Sequence, residues 1–126
     1  MHLIEMRTLA NREVIEDFVK GYVNGKNHTG SMHIETFSHK IIGDYTNKIS
    51  KRTVLYSYST PIAVRGRGNC DELFYFMTDK YFSQTTTVHQ NMLIDVIMDR
   101  GYYPDVIPND KFKDYLKENN MPIGKL

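Results

Sequence analysis

The sequence predicts an α+β fold: a small antiparallel sheet of about three to five strands, packed against an N-terminal helix and one or two C-terminal helices. Three observations carry that prediction. Apolar residues recur at helical spacing between residues 14 and 23. Strand-like runs occupy residues 53–65 and 73–78, the first with clear residue-by-residue alternation. A second helical run follows between residues 88 and 97. Strands grouped between helices, rather than alternating with them, separate α+β from doubly wound folds.

The chain has 126 residues, enough for one domain covering residues 1–126 with a single sizeable core. Nine Tyr and six Phe supply bulky packing, which argues against disorder. No apolar run approaches the ~20 residues that span a bilayer. The opening MHLIEMRTLANREVIEDF acquires charge too early for a secretory signal. One cysteine, Cys70, forms no internal disulfide and fits a reducing compartment, so the expected location is the cytoplasm of a bacterial host.

The first helix is expected from about Asn11 to Val23, burying Val14, Ile15, Phe18, Val19, Tyr22 and Val23. Asn24-Gly25 would end it, because both residues tolerate the left-handed conformation. A strand follows over Met32–Phe37, and residues 40–52 show no firm pattern. From Thr53 to Ser59, Val54, Tyr56 and Tyr58 alternate with Leu55, Ser57 and Ser59. Pro61 lacks an amide donor, so Thr60-Pro61 marks a bulge, a turn or a sheet edge. The strand resumes at Ile62–Arg65. Gly66-Arg67-Gly68-Asn69 then reads as the turn of a hairpin. Leu73–Thr78 is apolar on both faces, as a central strand is. Thr87-x-x-Gln90 matches a capping box for the second helix, with Val88, Met92, Leu93, Val96 and Ile97 buried and Gly101 ending it. A last helix runs from an Asn109 cap to about Asn119 and buries Phe112, Tyr115 and Leu116.

The net charge of +1 conceals an uneven distribution. Residues 40–67 carry Lys40, Lys48, Lys51, Arg52, Arg65 and Arg67 against Asp44, a local net of +5. Such a band meets phosphates or an acidic protein surface, or is a solvated edge protected by charge. Tyr45, Tyr56 and Tyr58 interleave with it, which are the ingredients of a single-strand nucleic-acid platform. Tyr56 and Tyr58 share a face with Val54, so core packing competes with that reading.

A second concentration of polar groups lies at Thr85, Thr86, Thr87, His89 and Asn91. Free amides and the positive dipole end of a helix would bind a nucleotide or small anion there. The alternative is that these hydroxyls satisfy a strand-to-helix turn. His89, in the first helical turn, is expected to be neutral and to make a structural hydrogen bond. His28, His33 and His39 are spaced by five and six residues, which fits no zinc module. Asp71, Glu72 and Asp79 with Lys80 read as solvated strand ends more readily than as a metal-nuclease cluster. No phosphate loop, nucleophile elbow, zinc-protease or dinucleotide motif occurs, so neither a cofactor nor a metal is called for.

Leu55-Tyr56-Ser57-Tyr58-Ser59-Thr60-Pro61-Ile62-Ala63, followed by Lys80-Tyr81-Phe82-Ser83-Gln84-Thr85-Thr86-Thr87-Val88-His89-Gln90-Asn91, resembles a family of small phage and mobile-element proteins of unknown function. The family's blocks read LYSY-x-T-x-IA and YS-x-TT-[ST]-x-H-x-N. Here Phe82 separates the Tyr and Ser that are adjacent in that pattern, which would shift the register entering the helix. The resemblance implies phage association and a cytoplasmic setting, and carries over no catalytic residue. The leading expectation is therefore a non-catalytic accessory protein that binds a host protein or protein–nucleic acid complex, such as a CRISPR defence system. Its contact residues would be Lys48, Lys51, Arg52, Tyr56, Tyr58, Arg65 and Arg67. Nucleic-acid binding through the same band is the first alternative. Anion binding at Thr85–Asn91 is the second.

Overall fold

In the computed structural model, residues 3–21, 29–40, 49–68, 72–124 and 126 are described. Tyr22, Val23, Asn24-Gly25, His28, Tyr45, Lys48, Asn69, Cys70 and Asp71 lie outside them. The elements are α1 (Leu3–Lys20), β1 (Met32–Lys40), β2 (Ile49–Ser57), β3 (Thr60–Arg67), β4 (Leu73–Thr78), α2 (Gln84–Asp99), β5 (Asp105–Ile107) and α3 (Asn109–Glu118). The strands form one sheet in sequence order. Its first three pairings are antiparallel, and β5 joins β4 in parallel through the α2 crossover. The fold is α+β, as the sequence predicts. No helix among the described residues is long and apolar enough to cross a membrane.

Both faces of the sheet are covered. On one, Val14, Ile15, Phe18 and Val19 of α1 and Leu93, Val96 and Ile97 of α2 pack on Met32, Leu55, Ile62, Ala63, Tyr75 and Met77. On the other, Phe112 and Leu116 of α3 and Met121 beyond it pack on Val54, Tyr56 and Val64. The alternation in β2 deals its side chains to these two cores: Val54 and Tyr56 to one, Leu55 and Ser57 to the other.

Several boundaries differ from expectation, each for a local reason. α1 begins at Leu3 and stops at Gly21, whose φ of 79° is the left-handed stop assigned from sequence to Asn24-Gly25. β2 extends back to Ile49, where pairing with β1 supplies order that no sequence period shows. Pro61 sits in an interior strand at a bulge: Leu55 pairs with Ala63 but Tyr56 with Pro61, leaving Ile62 as the extra residue. A bulge is where a missing ladder donor costs least. Gly66 and Arg67 extend β3 instead of turning. Tyr58 leaves the face of Val54 and Tyr56 and enters the β2–β3 turn with φ 57°. β5 has no counterpart in the sequence reading, because three half-exposed residues are too few to show a period.

The starts of the later helices also shift. α2 opens at Gln84 with Ser83 as its N-cap, accepting a hydrogen bond from the Thr86 amide at 3.2 Å. Thr87 therefore lies inside the helix, its hydroxyl donating to the Ser83 carbonyl at 2.9 Å. Gln90 is drawn away from the helix end: its amide donates to the Thr78 and Lys80 carbonyls that close β4. Val88, expected in the core, is 51% exposed. Gly101, with φ 83°, follows the end of α2 as expected. Pro108 stands at the N-cap of α3, and Asn109 is its first residue, accepting from the Thr78 hydroxyl at 2.6 Å.

Candidate functional site

The two blocks meet at one buried place. Ser57, the last residue of β2, approaches Nδ1 of His89 with its hydroxyl at 2.8 Å and the Thr86 hydroxyl at 3.1 Å. Ser83 donates to the same Thr86 oxygen at 3.2 Å. On the far side of the imidazole, Nε2 lies 3.4 Å from Nδ2 of Asn11 on α1. The Asn11 carbonyl oxygen accepts from the Thr29 hydroxyl at 2.7 Å and the Ser31 hydroxyl at 3.1 Å. The network thus joins α1, the approach to β1, the end of β2 and the start of α2. Ser57 is 1% exposed and His89 2%.

Proton accounting orients Thr29, Asn11, His89 and Ser57. Thr29 Oγ1 accepts from the Ser31 and Met32 amides, so its own hydrogen goes to Asn11 and fixes the carboxamide oxygen on that side. The Asn11 NH₂ then faces the imidazole, and Nε2 must accept. The neutral ring carries its hydrogen on Nδ1 and donates to Ser57, which in turn donates to Thr86. Burial lowers the His89 pKa from its ordinary value, in agreement with a neutral ring. Serine, histidine and asparagine in contact have the outline of a nucleophile and its base. In this tautomer the wiring runs against that chemistry: the ring nitrogen next to Ser57 carries the hydrogen and donates to the serine rather than accepting from it. The cluster is a hydrogen-bonded strut.

Phe82 explains how a shifted block still reaches this place. Its side chain packs against the α1/α2 core, with the Lys80 ammonium 5.1 Å from the ring centroid. Ser83 remains free to cap the helix. Asn11, Thr29 and Ser31 were not anticipated. Asn11 had a visible signal, because it occupies the helical stripe of Val14, Ile15 and Phe18, where a polar residue needs a partner.

The five residues expected to bind an anion do not converge. Thr86 and His89 are buried in the network, Thr87 is bonded to Ser83, and Thr85 and Asn91 are exposed. The basic band is also divided. Arg52 lies on the α3 face, 5.1 Å from the Phe74 ring centroid, and donates to the Tyr115 hydroxyl at 2.9 Å. Gly66 makes room for it: a Cβ there would come 2.6 Å from Arg52 Cδ and Phe74 Cζ. Arg65 lies on the α1 face and donates to the Val19 carbonyl at 3.3 Å, where a cation complements the helix C-terminus. Lys51 and Arg67 are exposed and flank the Arg52–Gly66 pair. Tyr56 is a core residue stacked on His33 at 4.4 Å. Burial first, then the nearby Glu35 carboxylate, push its hydroxyl pKa up, although no hydrogen-bond geometry is met among the described residues. Tyr58 is 54% exposed at the opposite end of β2 from Lys51. Neither a continuous cationic stripe nor a Tyr56–Tyr58 stacking face forms among the described residues. No group of three or more metal-ligating side chains occurs among them either.

A five-stranded α+β sheet pinned by this polar strut defines the architecture. Residues 10–103 match a family of unknown function, DUF8033, and the chain belongs to that family. The match contains both blocks and every member of the network, whereas α3 lies beyond it. Neither a curated protein nor a solved structure matches the chain.

Proposed function

We propose that this protein is a non-catalytic, phage-type accessory protein that acts by binding a host macromolecule in the cytoplasm. A protein of a host defence system such as CRISPR is the partner class that reading favours. One observation supports it above the others. Within the two blocks, Ser57, Ser83, Thr86 and His89 bond to one another inside the fold, and in the arrangement seen the His89 nitrogen beside Ser57 donates rather than accepts. The exposed surface is then what remains to act. Arg52 and Arg65 are engaged within the protein, which weakens the nucleic-acid reading of the band.

A tagged pull-down from bacterial host lysate, split into nuclease-treated and untreated halves, tests the proposal. A stoichiometric host protein that survives nuclease supports it. Partners retained solely in the untreated half would replace it with nucleic-acid binding.

A further inference from the structure

The two edges of the sheet are finished differently. β5 closes one edge with three residues, and β1 closes the other with nine, Met32–Lys40. Proteins guard an open edge with a short strand, a proline, a bulge or an inward charge, because unpaired amides and carbonyls recruit another strand. β1 contains no proline, and its register with β2 is unbroken from Met32↔Ser57 to Lys40↔Ile49. Glu35, Thr36 and Ser38 are exposed.

The hydrogen-bond phase of β1 follows from its first residues. The Tyr58 amide donates to the Ser31 carbonyl at 2.6 Å, so Ser31 and every second residue after it turn their backbone groups toward β2. Met32, Ile34, Thr36, Ser38 and Lys40 therefore turn theirs outward. Met32 is already satisfied: its amide donates to the Thr29 hydroxyl at 3.0 Å, and its carbonyl accepts from the Thr29 amide at 2.7 Å. Among the described residues, nothing pairs with the outward backbone groups of Ile34, Thr36 and Ser38. A row of amides and carbonyls at that spacing is matched by another β-strand.

A second copy of the chain offers the same row in matching phase. Outward residues must meet outward residues, which places a two-fold axis on a residue of β1 and not between two. Centring on His33 or Ile34 would need the Met32 groups that Thr29 holds. Centring on Glu35 would set two carboxylates opposite each other. Centring on Ser38 or beyond leaves Ile34 with no partner inside the strand. Two centres remain. An axis on Thr36 sets it opposite its own copy, with Ile34 opposite Ser38. An axis on Phe37 pairs the two phenylalanines, with Thr36 opposite Ser38. We propose that two copies of this chain join β1 to β1, antiparallel about Thr36 or Phe37, so that two five-stranded sheets become one continuous sheet. This self-association is independent of the host partner proposed above.

Sedimentation equilibrium of the purified full chain tests it. The expected mass is twice the chain's 14.7 kDa. Thr36→Pro removes an outward amide and no β1–β2 hydrogen bond, so it should return the mass to that of a monomer with an unchanged far-UV spectrum. Disulfide trapping supplies a second measurement that does not depend on the proline variant. With Cys70→Ser as background, Thr36→Cys and Phe37→Cys should form an intermolecular disulfide on mild oxidation, faster at the residue on the axis. Tyr103→Cys, at a position 80% exposed, should not. A monomer at every concentration overturns the proposal, even if Thr36→Cys captures a host protein instead. So does a dimer that a folded Thr36→Pro leaves intact, or trapping at Tyr103 as fast as at Thr36 and Phe37. If Thr36→Pro fails to fold, the trapping result decides alone.

Discussion

His89 holds the ends of two elements together by staying neutral. Among the described residues, Asn11 from α1 and Ser57 and Tyr58 from the β2–β3 corner contact its ring, Thr86 joins through Ser57, and none of the four is charged. A proton added at Nε2 would oppose the Asn11 NH₂, donor against donor, at a buried ring. The folded ring thus binds protons less readily than the unfolded one, whose pKa is about 6.5. The sign follows from linkage: below that value the unfolded chain carries more protons, so stability is full above it and declines as pH falls toward the lowered folded pKa. Urea unfolding at pH 7.5 and 5.5 should show wild type losing stability, with His89→Gln losing less over the same interval. Ser57→Ala leaves the Nδ1–H without its acceptor and should cost about 1–3 kcal/mol at neutral pH, read by the same titration. At this scale the sequence exposed the hydroxyls and the imidazole but not their pairing. Ser57 and His89 are 32 positions apart, and no local pattern links them.

The start of α2 illustrates two caps in competition. Thr87-x-x-Gln90 has the form of a capping box, yet Ser83 takes the position one turn earlier. What separates them is non-local: Gln90 is recruited by the Thr78 and Lys80 carbonyls and is unavailable to close the box. Ser83→Ala should therefore destabilise by about 1 kcal/mol, more than Thr87→Ala, whose effect should stay within about 0.5 kcal/mol. Thermal melts of the two variants side by side check the order. In β3 the decisive residue is Gly66, read from sequence as a turn glycine and found within the strand. Its missing Cβ is the space that Arg52 crosses toward Tyr115. Gly66→Ala should cost about 1–3 kcal/mol by overpacking, against near-neutral behaviour at a genuine turn. Chemical denaturation distinguishes the two.

The whole molecule is a sheet with a core on each side, and the two cores are built from different parts of the chain. α1 and α2 cover one face, while α3 and the residues after it cover the other. Leu93→Ala and Leu116→Ala, one in each core and both fully buried, should each cost about 2–5 kcal/mol. Comparable losses, seen as lowered denaturation midpoints, would show that the α3 face is as integral as the other. The same division governs charge. Lys51, Arg52, Arg65 and Arg67 lie close in sequence, yet strand alternation sends Arg52 to one face and Arg65 to the other, each to an internal partner. Replacing all four would therefore lower stability as well as surface charge, and the Arg52 and Arg65 contributions belong in that account.

Local chemistry was enough for the order of the main elements. Helical spacing marks α1, alternation marks β2, two-sided apolarity marks β4 as an interior strand, and Gly101 marks the end of α2. Each of these is a property of a few consecutive residues, which is why a single sequence displays it. Three features lay beyond reach: the pairing of His89 with Asn11 and Ser57, the separation of the basic band onto two faces, and the strained exposure of Tyr58. All depend on which atoms meet across the sheet, through hydrogen bonds and sterics between residues far apart in the chain. Those contacts exist after packing and leave no period in the sequence.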